Sequence, residues 1–139
     1  MISDGVYGRL SACLEAAGFR VCREYAGDIR GGSVGQSGYT AFVRIKQTEL
    51  SELTVHGGTA RCKAAVTAEV RLMGSEAGFF GAESLISRAE SALEALYLSS
   101  DIIIKKLLCG EPKKSMQTGR LEQLMTLTAV TELEKEAEE

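Results

Sequence analysis

Several things are scarce in this 139-residue chain, and each scarcity removes a class of function. There is one histidine, His56. A single imidazole completes a zinc site only with help from distant thiols. The four cysteines, Cys13, Cys22, Cys62 and Cys109, stand far apart and form no C-x-x-C pair. Zinc-ribbon spacing and a thioredoxin-like redox motif are therefore both missing. A basic excess is lacking as well, since the formal net charge is -3. Nucleic-acid binders use such an excess to neutralise phosphates, so no nucleic-acid partner is expected.

Long apolar runs are equally scarce. The stretch Ile102, Ile103, Ile104 meets Lys105 and Lys106 at once, far short of the roughly 20 residues of a membrane span. The first residues carry neither a basic n-region nor an apolar h-region. A soluble, cytoplasmic protein with no membrane partner is the expectation. No P-loop, H-E-x-x-H, G-x-S-x-G or EF-hand pattern occurs. The glycine-rich stretch 26–38 lacks G-x-G-x-x-G spacing and opens no helix that would aim amides at a phosphate. No catalytic, cofactor-binding or metal-binding residue is assigned, no cofactor is expected, and the chain is read as a non-enzyme.

What is present is periodicity. From Ala60 to Leu72 every even position is apolar, while Arg61, Lys63, Thr67, Glu69 and Arg71 occupy odd ones. A period of two is that of a β-strand with one buried face. A helix would place Glu69 on its apolar stripe between Val66 and Val70. At ~3.3 Å per residue the strand is roughly 40 Å long, about twice the usual length. It either bends or projects beyond its sheet.

Around it the other elements fall into order. A helix is expected over 4–17, with Val6, Leu10, Cys13, Leu14 and Ala17 on one stripe and Gly18 ending it. A short strand over 19–25 and a flexible loop over 26–38 follow. The next strand, 39–47, has Tyr39, Ala41, Val43 and Ile45 inward and Thr40, Phe42, Arg44 and Lys46 outward. It pairs with the long strand as an extended hairpin whose tip holds His56. A second helix spans 82–98, with Leu85, Ile86, Ala89, Leu93, Leu96 and Tyr97 on its stripe. Residues 102–108 fit a strand or a helical turn, and Gly110, Glu111 and Pro112 break the chain after them. The threonines of 120–133 favour a last strand.

These elements define an α+β domain of order α-β-β-β-α-(β)-β, with two helices packed on one face of a mostly antiparallel sheet. Residues 1–131 form the single domain. The acidic run 132–139 is expected to fray into solvent.

The outward residues Phe42, Arg44, Lys46, Arg61, Lys63 and Arg71 are mostly cationic in an acidic protein, and one is aromatic. A solvated face accounts for them; so does a surface that meets a partner or a second subunit. In a head-to-tail assembly the acidic run 132–139 of one subunit is a candidate partner for this basic face on the next.

The strand A-V-T-A-E-V-R-L-M from Ala65, the helix A-E-S-L-I-S-R-A-E-S-A-L-E-A-L from Ala82 and the segment R-L-E-Q-L-M-T-L-T-A-V-T-E-L from Arg120 follow one another in an order that resembles the tail terminator (tail completion) proteins of long-tailed bacteriophages and prophages. The resemblance covers most of the chain and is one of pattern and order. It implies an α+β subunit without enzymatic activity that forms a hexameric ring, caps the tail tube and offers a surface to head-connector proteins. It further implies a virion component assembled in the bacterial cytoplasm, with the 26–38 loop and hairpin tip meeting ring neighbours or the tube. Two other classes remain. One is a dimeric ligand- or peptide-binding module, marked by a closed apolar pocket and a compact shape. The other is a cysteine-dependent enzyme, marked by a fast-reacting thiol.

Overall fold

The computed structural model describes residues 2–24, 38–74, 79–100, 102–114 and 120–136. Helix α1 (Ile2–Ala16) is followed by strands β1 (Arg20–Glu24), β2 (Thr40–His56) and β3 (Thr59–Met73), then helix α2 (Phe79–Tyr97) and strands β4 (Ile103–Cys109), β5 (Lys113–Lys114) and β6 (Leu121–Glu136). The six strands make one sheet of order β1-β2-β3-β6-β4, with β5 paired to β6. Only β1 runs parallel to its neighbour; every other pairing is antiparallel. Of the glycine loop expected over 26–38, all but Gly38 lies outside the described residues.

The alternation of β3 sets the layering. Ala64, Val66, Ala68, Val70 and Leu72 are all fully buried. The last four of them meet Ala41 and Val43 of β2 and Met125, Leu127 and Ala129 of β6 on the same face. Both helices lie over that face. From α1 come Val6, Leu10 and Leu14; from α2 come Leu85, Ala89, Ala92 and Leu96, in one continuous core. Tyr97, expected on the apolar stripe, is exposed at the helix end.

Helix α1 ends as its sequence asks. Gly18 takes a left-handed φ of +94°. Its N–H donates to Glu15 O and that of Phe19 to Leu14 O, both at 3.0 Å, which closes the last turn in a Schellman pattern. Arg88 of α2 donates to Ala17 O at 3.2 Å and lies 4.0 Å over the ring of Tyr39. One guanidinium thus ties the end of α1, the start of β2 and the middle of α2. A Cβ at Gly18 would run into Arg88 Nη1.

Two features of β2 and β6 differ from expectation. Strand β2 continues nine residues past Gln47, to His56. The alternation is interrupted where the pairing register shifts, at Ile45/Gln47 and Ser51/Thr54, and these irregularities make 46–54 look like a polar loop. At the second, Glu52 and Leu53 together oppose Cys62, and Glu52 takes a left-handed φ of 53°. Strand β6 runs through Glu136, so residues 132–136 are ordered strand and not a frayed tail; 137–139 lie outside the described residues. Glu132, Glu134 and Glu136 share one face of the strand, alternating with Leu133 and Lys135, and β3 supplies Lys63 and Arg61 opposite the first two.

The ladder on either side of the centre is short. Strand β1 pairs only with Thr40–Arg44, and β4 reaches along β6 only as far as Val130. Beyond those rungs β2, β3 and β6 continue alone among the described residues. They form a three-stranded arm of residues 50–56, 59–63 and 131–136 that projects about 16 Å past Ala64, the last fully buried position of β3. Of the two expectations for the long strand, bending or projecting, projection is the one the pairing shows.

Candidate functional site

Two surfaces compete for attention, one on each face of the sheet. The outer face, opposite the helices, carries the six residues singled out in the sequence. Cross-strand register sorts them into two groups. Phe42 faces Arg71, and Arg44 faces Glu69 two residues further on, with Lys46 at the bulge beyond. Lys63 and Arg61 stand on the arm, eight and ten residues along β3 from Arg71, or roughly 26 and 33 Å. The fold does not bring the six into one patch.

Phe42 is on the outer face but is not wet. It is 3% exposed and packs with Met73 and the half-buried Cys22. Two neighbours explain this. Strand β1 places Cys22 opposite Phe42, and Arg71 sets its guanidinium 5.0 Å over the ring while bonding Glu24 at 3.2 Å. The expectation of an exposed aromatic among arginines is corrected accordingly: Phe42 is consumed inside its own subunit.

The charges have intramolecular partners too. Lys46 pairs with Glu69 at 3.4 Å, Lys63 with Glu52 at 2.8 Å, and Arg61 with Glu134 at 3.4 Å and Glu132 at 3.9 Å. Arg44 forms no ion pair among the described residues. A face expected to be positive is of mixed sign once β1, β2 and β6 stand beside β3. The acidic run proposed to meet Arg61 on another subunit meets it within the same strand ladder. Lys63 holds the Glu52 carboxyl below the usual carboxylate range through a direct hydrogen bond and its charge. Such solvent-exposed pairs contribute little to stability.

The inner face of the arm is different in kind. Here the apolar side of β3 continues through Cys62 and Ala60 into a region that the helices do not cover. Leu50, Leu53, Val55 and Leu133 join them around an open groove of about 550 Å³. Leu53 is 75% exposed and Val55 71%, large values for branched aliphatic side chains. Tyr97 and Leu98 are also exposed. Because α2 begins where β3 ends and leads to β4, whose first residue Ile103 faces Val130, these two side chains stand at the root of the arm.

This patch was not among the sequence candidates, although its signal was present. A strand that overshoots its sheet carries its apolar face into solvent, and Ala60 and Cys62 are the overshooting end. The partner strand hid the rest, because Leu50, Leu53 and Val55 sit around a bulge that breaks their period.

A second groove, about 500 Å³, lies on the outer face at the other end of the sheet. Leu108, Leu124 and Thr126 floor it, and Glu111, Lys113, Lys114 and Glu122 rim it. Lys105 and Lys106 are exposed on the adjoining β4. None of these four lysines forms an ion pair among the described residues.

The Cys109 thiol is not an activated nucleophile. Burial, with a smaller contribution from Glu90, pushes the Cys109 thiol up, the direction opposite to a reactive thiolate. His56 is exposed at the last rung of the hairpin, beside the Gly57 and Gly58 turn. Among the described residues no cluster of His, Cys, Asp and Glu could hold a metal ion, and no helix is long and apolar enough to cross a membrane. In class the molecule is an α+β domain with one helix-covered face and a projecting β-arm. No family model and no curated protein matches the chain.

Proposed function

We propose that this chain is a structural assembly subunit of the tail-terminator kind, which forms a closed ring on the end of a long-tailed phage or prophage tail tube and offers a surface to head-connector proteins. It acts without catalysis or cofactor, as a component of the virion put together in the bacterial cytoplasm. The observation that carries this reading is the projecting three-stranded arm with an exposed apolar face. A monomer gains nothing from holding Leu50, Leu53 and Val55 in water, whereas a subunit whose neighbour covers them gains the burial, at roughly 25 cal/mol per Å². The surface offered to neighbours is the apolar inner side of the arm rather than the cationic set Phe42, Arg44, Lys46, Arg61, Lys63 and Arg71, most of which is already paired or buried.

The competing dimeric binding module would need an enclosed apolar pocket and a compact outline. The two grooves described above are open, and the outline includes the arm, so this alternative has less support. Absolute mass by light scattering after size exclusion, at several concentrations with and without magnesium, tests the proposal. A ring-sized species near the hexamer mass is the expected result. A compact dimer at every concentration, or a monomer that also fails to add to isolated tail tubes, would remove it.

A further inference from the structure

Among the described residues Gln123 is the one polar side chain that is buried, at 5% exposure. It stands on β6 opposite Leu72, and it shares the helix-covered face with Leu121 and Met125. Its amide is only half satisfied. Nε2 donates to Gly110 O at 2.8 Å, and this fixes the orientation of the group, because a carbonyl oxygen can receive only from the NH2 end. The other end, Oε1, is shielded from solvent and accepts no hydrogen bond among the described residues. A buried acceptor in this position calls for a donor, since the water it lost on folding has not been replaced.

Beside that amide three elements leave a cleft of about 470 Å³. On α2, Ile86, Ala89, Glu90 and Leu93 follow one another at helical spacing and form one wall. Across from them β4 ends at Cys109, on the same face as Gln123, and Glu111 and Pro112 continue the wall past the strand. Gly110 is held at both ends, its N–H donating to Leu124 O at 2.9 Å and its carbonyl accepting from Gln123, so the segment that carries Glu111 is pinned to β6. The charged members of the lining are two carboxylates, Glu90 and Glu111, with no lysine or arginine among the described residues. Neither forms an ion pair among those residues. The lysines next in sequence, Lys113 and Lys114, line the outer-face groove and not this cleft.

We infer that the cleft binds a primary alkylammonium group. The aliphatic stem lies against Ile86, Leu93 and Pro112, and the charged head is drawn to Glu90 and Glu111. One of its N–H groups supplies the donor that Gln123 Oε1 lacks, directly or through a single water. An ammonium has three donors around one compact centre, which suits three acceptors brought from three elements better than a planar guanidinium does. Such a group comes either from a free amine or from a lysine side chain of another protein, and the chemistry is the same. The site goes beyond the assembly reading and does not depend on it.

Titration of the full natural chain with n-butylammonium, followed by amide and side-chain NMR, tests this. Saturable shifts are expected at Glu90, Cys109, Gly110, Glu111 and the Gln123 side-chain amide, with a dissociation constant of roughly 1–10 mM for so small a ligand. Burial and, to a lesser degree, the Glu90 charge hold the Cys109 thiol up, so a bound cation should move that titration back toward its ordinary 9.0. n-Butanol, which has the stem without the charge, should bind about tenfold more weakly or not at all, and n-butylguanidinium should bind less tightly than the ammonium. Glu90→Gln with Glu111→Gln should weaken butylammonium about tenfold or more; both positions are exposed, so the fold should persist, as circular dichroism and melting will check. Gln123→Met, close in volume but without the acceptor, should weaken it as well.

Nα-acetyl-lysine N-methylamide separates the two sources. Binding at least as tight as that of butylammonium assigns the cleft to a lysine carried on a chain, its exclusion assigns the cleft to free amines, and either keeps the inference. Failure of butylammonium to saturate, equal affinity for butanol, or undiminished binding by the double glutamine variant would overturn it. So would shifts of the same size at the arm carboxylates Glu49 and Glu136, the mark of a cation that collects at any exposed carboxylate.

Discussion

The same three strands, β2, β3 and β6, have two lives in this molecule. From Thr40 to Ile45 and from Ala64 to Met73 they sit beneath two helices, and their inward side chains are buried. Past Ala64 the strands keep their pairing and their inward apolar pattern, but the helices stop. Leu53 and Val55 are as aliphatic as Val43 and Leu72, yet three-quarters of Leu53 faces solvent while Leu72 is sealed. Pairing is therefore not the same as burial. The backbone ladder makes an arm regular, whereas stability comes from what covers its apolar face.

Truncating Leu72 to alanine should show that difference most strongly, with a loss of about 2–5 kcal/mol in denaturant unfolding, because it opens a cavity under both helices. The matching change on the arm, Leu53→Ala, should stay within about 0.5 kcal/mol for the monomer. A comparable loss from Leu53→Ala would mean that the arm is part of the cooperative core.

Amide hydrogen exchange should sharpen the same contrast in the unassembled protein. Backbone amides of 50–56 and 131–136 should exchange ~100-fold or more faster than those of 66–72 and 125–129, since among the described residues the arm has two open edges and no layer over it. Upon assembly the arm amides should slow and the core amides should not. Equal protection in the isolated monomer would contradict the division drawn here.

The smallest effect concerns pH. Lys63 lowers the Glu52 carboxyl from its ordinary 4.5, and Glu52 raises the Lys63 amine from 10.5. A carboxyl whose value is depressed on folding contributes stability above 4.5 and loses it as pH falls through the lowered value. An amine whose value is raised contributes below 10.5 and loses it as pH rises through the raised value. The pair thus holds the Glu52 bulge across the neutral range, and acidification below 4.5 should speed exchange in the arm before the core responds. In Lys63→Met the Glu52 carboxyl, followed by NMR titration, should return toward 4.5; no movement would mean that the pair does not form in solution.

Much of the fold was legible. The alternation over Ala60–Leu72 matches β3, Thr59–Met73, to within one residue at each end, and the apolar stripes place both helices to within about three residues at each end. Segment 102–108, undecided between strand and helical turn, is strand β4, because β6 offers it a partner edge. The candidate site was legible only in part. Arg61, Lys63 and Arg71 were correctly placed opposite the core, but their companions were not visible in one dimension. Glu134 beside Arg61, Glu52 beside Lys63 and Glu24 beside Arg71 come from three other strands. Phe42 was misjudged for the same reason: a period of two says which face a side chain takes, not whether a neighbouring strand will close over it.

The division between the two levels follows from the range of the forces involved. Local alternation, helical stripes and the glycine at 18 decide which backbone conformation each segment adopts, because they act between residues a few positions apart. Those the sequence by itself determined, together with the α+β class they imply. Strand order, the parallel seat of β1, the pairing of 132–136 with 59–63 and the apolar arm left uncovered were decided only in three dimensions. They depend on which edges find each other and on where two helices of fixed length run out above a longer sheet.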